Sequence, residues 1–372
     1  MSSLPILEGR IVLPQRIMPG RIVFDGQIRE IAACPGASRH YILPGFIDCH
    51  VHGGDGADTM DGVAAIGRLS RFHLSHGTTT ILPTTITRPW SDVMDALRAV
   101  AEVRRTGVLH GPDIHGAHLE GPFVSPHKLG AQPPFAVAPR PDLVREVLET
   151  GVVRVVTLAP ELDHAESAMQ AFAGAGVRVS LGHMTADYER TEQAICTICA
   201  AGGTVGATHL FNAMAPIEGR RPGPVTALMC SDAAYAEMIL DTHHVHPATF
   251  RMAARLMDGR LLLVTDAMRG TGLPDGPSQL GGQDVMIRDG VVRLPGGSLA
   301  GSVLTLDVAL RNAVGSGGVS LPRAADLVSG TPARYLGLHD RGVLAVGRRA
   351  DFVVMDEQLR VRQVWVAGQQ VF

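Results

Sequence analysis

The sequence predicts an α/β fold, a (β/α)₈ TIM-like barrel with a small β-sandwich module formed by both termini. Three observations predict it. Between residues 44 and 344, eight short apolar runs alternate with stretches of helical periodicity. Several of those runs end on a histidine or an acid, at the place where barrel strands open into one shared mouth. The first forty and last thirty residues instead alternate apolar and polar side chains, the period of half-buried strands.

The elements follow in order. Gly9-Arg10-Ile11-Val12-Leu13 and Gly20-Arg21-Ile22-Val23-Phe24 are alternating runs, and Asp25-Gly26 is a hairpin signal. Asp351 to Met355 and Val364 to Gly368 have the same texture. Short strands at two ends cannot each bury a face alone, so residues 1–43 and 345–372 are expected to pair in one small module. Strand candidates of the 44–344 barrel end near Asp48, Thr84, Glu120, Pro160, His183, His209, His243 and Asp266. Val93 to Val103, Leu143 to Leu148 and Ala248 to Leu256 carry helical spacing between them. An open doubly wound sheet also alternates but rarely needs eight strands, which favours a closed barrel. Residues from about 271 to 300 read as an insertion after the eighth strand, with a hairpin at Val285 to Val292.

Composition bounds the function. The chain has 372 residues, more than the roughly 250 of a bare barrel, and the terminal module accounts for the excess. A formal charge of −3 gives no basic footprint for nucleic acid. No run reaches the roughly 18 apolar residues of a membrane span, and no signal peptide is expected at the N-terminus. Five cysteines in a long chain argue against a disulfide framework, so the expected location is the cytoplasm. Cys196 and Cys199 form a CxxC pair in a helical pattern, and packing is the expected role, since no second pair follows at zinc-ribbon spacing. Lys128 is the only lysine.

The strand-end residues carry the chemistry. His50 and His52 are one residue apart, so on a strand both rings leave the same face. Such a pair is weak by itself; Pro44-Gly45-Phe46-Ile47-Asp48 before it and Gly53-Gly54 after it keep the site open. Glu120 ends an apolar run before Gly121-Pro122, and a buried glutamate there needs a compensating cation. His183 and His209, each approached through a glycine, are singly either ligands or hydrogen-bonded core histidines. Four histidines and a glutamate on four strand ends are hard to explain as packing and imply a metallohydrolase. Asp266 closes the last strand, as a helix N-cap or as a carboxylate that moves the proton of a metal-activated water.

With these residues in hand, the chain resembles the amidohydrolase superfamily and, within it, the N-acetylglucosamine-6-phosphate deacetylases. The matching pieces are PGFIDCHVHG at 44–53, HLEGPF at 118–123, GH at 182–183, HLFNAM at 209–214, GRRPG at 219–223, DTHHV at 241–245, VTDAM at 264–268 and LAGS at 299–302. HLEGP and HLFNAM look specific to the deacetylases, while HxH and the terminal aspartate are shared more widely. The resemblance implies that Glu120, His183 and His209 hold the tighter metal, and that His50 and His52, with Asp266, hold a second. One or two divalent ions per subunit are implied, zinc or iron, and ligand type alone does not choose between them. Relatives that bridge two metals through a carboxylated lysine need it on strand four, whereas Lys128 follows strand three.

The resemblance also implies substrate groups. Arg220 matches a phosphate-binding arginine that reaches the neighbouring subunit's site, which implies a homodimer; on the residues alone, Arg220-Arg221 is equally a solvated loop. Asn212 and the backbone of Ala213 match further phosphate contacts, and His244 matches the histidine at the sugar and carbonyl. Two departures stand out. Gln132 replaces a common histidine that meets the sugar hydroxyls, and Thr242 replaces a common glycine before His243-His244. The implied activity is hydrolysis of the N-acetyl group of N-acetyl-D-glucosamine 6-phosphate. The alternatives are the galactosamine epimer, a cyclic amide, and a non-catalytic assembly protein, the last of which would be expected to have lost ligands.

Overall fold

The computed structural model describes residues 4–372. Strands from both ends of the chain run in one seven-stranded sheet, in the order Gln369–Gln370, Val361–Val366, Phe352–Met355, Tyr41–Pro44, Ile6–Leu13, Arg16–Phe24, Ile28–Ala33. The ends meet where Phe352 pairs with Pro44 and Met355 with Tyr41. Asp25 makes the turn before the third strand by accepting the Gln27 N–H at 2.8 Å. Ile11, Ile22, Phe24, Ile42 and Phe352 bury one apolar cluster, with the Phe24 and Phe352 rings edge-on at 4.9 Å.

The middle of the chain supplies eight central strands: Phe46–Val51, Thr78–Pro83, Ala117–Glu120, Val153–Leu158, Arg178–Leu181, Val205–Ala207, Ala236–Ile239 and Leu261–Val264. Their ladders are parallel. Nearly every residue on them is buried, as expected when helices cover one face and side chains fill the other. Isolated parallel bridges Thr84–His118, Val205–Ala234 and Val51–Ala267 connect the ladder pieces. The intervening helices include Trp90–Thr106, Pro141–Glu149 and Pro247–Leu256, the last two opening on proline, whose missing N–H costs nothing in a first turn. After the eighth strand, Gly276–Leu280, Gln283–Arg288 and Val291–Arg293 form a small antiparallel sheet. Its Leu280, Val285 and Ile287 pack on Ile86 and Met268.

Two expectations are corrected here. The seventh strand ends at Ile239, short of His243. Asp241 explains the early stop, since its side chain accepts the backbone N–H groups of His243 and His244 at 2.8 Å each and turns the chain. Cys196 and Cys199 do lie on a helix, Tyr188–Ala200, but both are exposed and do not pack into the core.

Candidate metal centre

The histidines and acids converge as their strand-end positions require. His50 lies on the first central strand and His52 just past its end, and their Nε2 atoms are 3.3 Å apart. Glu120 is the last residue of the third strand. His183, His209 and Asp266 each sit two residues beyond a strand, with positive φ of 48°, 31° and 48°. That uncommon backbone swings the side chains into the shared mouth, and its cost is typical of functional sites.

Glu120 is the hub. Its Oε1 lies 3.3 Å from Nε2 of His183, 3.1 Å from Nε2 of His209 and 3.5 Å from Nε2 of His50; its Oε2 lies 3.2 Å from Nε2 of His52. Asp266 Oδ1 is 3.4 Å from His50 Nε2 and 3.1 Å from His52 Nε2. Three potential metal clusters result: His50-His52-Glu120 and Glu120-His183-His209, which share the glutamate, and His50-His118-Glu237. These side chains and that of Asp266 are all buried.

The donor set fits a divalent ion. His183 gives its Nδ1–H to the Lys128 carbonyl, so the neutral ring presents the lone pair of Nε2, the atom a metal needs, 3.0 Å from Nε2 of His209 and 3.3 Å from the Glu120 carboxylate. The charge balance agrees. Burial pushes Glu120 up, but His50, His183 and His209 outweigh it and hold the carboxyl well below its usual range. Burial likewise raises Asp266, and His50 and His52 overcome it, leaving the pKa at about 2. Desolvation lowers His52, yet its hydrogen bonds to Asp266 and Glu120 bring it up to about 9. Ionised carboxylates are thus matched by protonated imidazoles, and a bound cation would displace those protons.

Supporting partners surround the ligands. The His183 Nδ1–H meets the Lys128 carbonyl at 2.9 Å, so the lone lysine serves this site through its backbone. Asp48 is fully buried between the first and eighth strands; it accepts the Thr265 hydroxyl at 2.7 Å, and burial pushes its pKa up to about 7. Glu237 escaped the sequence reading. It is buried on the seventh strand, and its Oε2 is 2.9 Å from His50 Nδ1. The available signal was an acid inside the apolar run Ala236-Glu237-Met238-Ile239-Leu240. The ring of His118, at the head of the HLEGPF motif, bridges the Cys49 carbonyl at 3.1 Å and the Thr157 hydroxyl at 2.8 Å, which accounts for its burial.

A cavity of about 180 Å³ opens above the ligands. His52, Glu120, Gln132, His183, His209, Asn212, Ala213, His244 and Asp266 all reach it, with Ile86, Leu280 and Leu299 as apolar wall. His244 is held by Asp241, whose Oδ2 is 2.7 Å from its Nδ1, so Nε2 is the free ring nitrogen. Asn212 donates to the His209 carbonyl at 3.2 Å, leaving its side-chain oxygen for other partners. Thr242 has φ of 72°, which explains why glycine suits that position. Arg220 does not join this group: it is exposed and lines a separate surface depression with Asp187, Tyr188 and Glu218.

Known proteins resemble this chain in sequence and in fold. The N-acetylglucosamine-6-phosphate deacetylase of Vibrio furnissii is 38% identical over 357 residues, covering 94% of this chain and 87% of its own. The N-acetylgalactosamine-6-phosphate deacetylase of Escherichia coli O157:H7 is 37% identical over 358 residues, 93% of each chain. Among solved structures, a variant N-acetyl-D-glucosamine-6-phosphate deacetylase of Mycobacterium smegmatis in complex with N-acetyl-D-glucosamine-6-phosphate matches with a TM-score of 0.92 at 35% identity, over 100% of each chain. Residues 41–371 match the Amidohydrolase family, to which this chain therefore belongs.

Proposed function

We propose that this chain hydrolyses the N-acetyl group of N-acetyl-D-glucosamine 6-phosphate, releasing D-glucosamine 6-phosphate and acetate in amino-sugar catabolism. The observation that carries the proposal is the placing of Asp266 and His244 at one cavity with Glu120, His183 and His209. When bound there, a divalent ion, zinc or iron, would polarise the acetyl carbonyl and bring the pKa of water toward ~7. Asp266, ionised at neutral pH, takes the attacking water's proton and later delivers it to the departing amine. His244, held through its Nδ1–H by the Asp241 carboxylate, turns Nε2 to the sugar and the acetyl carbonyl, and in its doubly protonated form it stabilises the developing oxyanion. Glu120, His183 and His209 form the tighter ion site, and His50 and His52 with Asp266 a second.

Asn212, the Ala213 backbone and Arg220 bind the 6-phosphate, and Gln132 and His244 face the sugar. Arg220 is exposed and does not line its own cavity, and it would serve the site of a second copy, in a homodimer. A guanidinium fork suits a phosphate. We further infer that the eight central strands close into a barrel, a reading supported by the three bridges joining their ladder pieces. Of the module expected at 1–43 and 345–372, residues 1–3 lie outside the described residues; 4–43 and 345–372 would form a small β-sandwich folded from the terminal sheet, with 44–344 as the catalytic barrel and its insertion near 271–300. No helix among the described residues is long and apolar enough to cross a membrane, and the five free cysteines suit the cytoplasm.

The second reading is the same chemistry on N-acetylgalactosamine 6-phosphate. It is favoured by the Escherichia coli relative named for that substrate, and glutamine at position 132 leaves the epimer open. Acetate release from both 6-phosphates and from both unphosphorylated sugars tests the proposal. Faster release from the galacto compound would select the second reading, and release from neither 6-phosphate would reject both.

A further inference from the structure

Gln132 lines the cavity, yet both ends of its amide are engaged inside the protein. Its Nε2 donates to Glu120 Oε2 at 2.6 Å, and its Oε1 accepts the backbone N–H of Thr87 at 2.7 Å. A backbone N–H can only donate, so Thr87 fixes which end of the amide is oxygen and turns the NH₂ group toward the carboxylate. The bond falls on Oε2, whereas His183 and His209 meet Oε1. Gln132 therefore sets the rotation of the Glu120 carboxylate and leaves Oε1 toward the two histidines. Hydrogen bonds to an ionised carboxylate are the stronger kind, and this one is buried.

The same loop holds a second ligand. Ser125 N–H bonds the His183 carbonyl at 2.9 Å, and the Lys128 carbonyl accepts from His183 Nδ1, which presents Nε2 inward. The loop is itself braced by the small sheet after the eighth strand, where Gln283 Nε2 donates to the Ala131 carbonyl at 2.7 Å. We propose that Gln132 is a positioning residue for Glu120, and through it for an ion held by Glu120, His183 and His209. This goes beyond a contact with sugar hydroxyls, and it rests on the metal-dependent reading above.

The test compares ion retention in the full-length holoenzyme and in Gln132→Leu, Gln132→Met and Gln132→His, titrated with a chelator in the absence of substrate. Kinetics on the 6-phosphate are measured alongside. Gln132→Leu and Gln132→Met lack the donor and should lose the ion about 10- to 100-fold more readily, the range for removing a group that orients a ligand. Gln132→His restores a ring N–H and should recover part of that loss, which a purely steric role would not produce. In the ion-reloaded variants kcat should fall more than KM rises. Parental ion retention in a folded Gln132→Met or Gln132→Leu protein, with only KM raised, overturns the proposal and leaves Gln132 as a sugar contact. A parent protein that holds no ion would instead bring down the metal-dependent reading itself, and this inference with it.

Discussion

Glu237 Oε2 lies 2.9 Å from Nδ1 of His50, with both side chains buried and 187 positions apart in the chain. The carboxylate fixes the imidazole tautomer, so Nε2 is directed at Glu120 and Asp266. Glu237→Leu should weaken ion binding at His50 and His52 by about 10- to 100-fold, while Glu237→Gln, which retains an acceptor, should do less harm. Isothermal titration of metal-free protein with zinc would read this, and equal affinities for parent and Glu237→Leu would remove Glu237 from the site.

Asp266→Asn preserves size but cannot take a proton. Turnover should fall at least about a hundredfold, the low end for a positioned acid–base group. Ion content should persist at Glu120, His183 and His209. Near-parental turnover at full ion content would take Asp266 out of the mechanism.

A chelator should abolish activity, and an added divalent ion should restore it. Glu120→Gln should lower ion content more than His50→Asn, because Glu120 is shared by the His50-His52 and His183-His209 clusters, whereas the other cluster of His50 includes His118, whose ring nitrogens are both engaged by the protein. Elemental analysis gives the answer, and active protein free of transition metal would contradict the assignment.

Arg220→Ala should weaken use of the 6-phosphate with little effect on folding, since the side chain is exposed. Mixed Arg220→Ala and Asp266→Asn subunits should regenerate some activity if Arg220 works across a dimer. No recovery in verified mixed dimers would confine Arg220 to its own subunit or to no role.

Thr242 is β-branched and exposed at φ of 72°, a conformation that disfavours it. Thr242→Gly should relieve strain partly offset by glycine's unfolded-state entropy, for a net gain of up to about 1 kcal/mol. Thermal melting would show a slightly higher Tm; an unchanged or lower Tm would mean that the loop bears no strain there.

Acid should destabilise the fold through His73. Its Nε2–H donates to the Gly53 carbonyl at 2.9 Å, and burial takes its pKa from 6.5 down to about 4 despite that bond. Between those values the unfolded chain binds a proton that the folded chain refuses, so stability falls as pH drops from about 6.5 to 4 and is unaffected above. The loss is at most about 3 kcal/mol. Urea unfolding at neutral pH and at pH near 5 should show a smaller loss for His73→Gln than for the parent; equal losses would exclude His73 as a source.

By itself the sequence determined the repeating strand-and-helix order and the histidines and acids that converge on Glu120. Side-chain alternation sends His50 and His52 to one face, and a glutamate closing an apolar strand at Glu120 makes sense only with compensation. Such local periods say which way a side chain points, not what stands opposite. That depends on strand neighbours and register, and only the tertiary structure decided it. The seventh strand brings Glu237 to His50, the loop from Ser125 folds Gln132 onto Glu120, and Asp241 ends its strand early and turns His244 into the cavity. The same limit explains Arg220: its loop motif was legible, but that it lines a separate depression and not its own cavity follows from the path of the chain after His209.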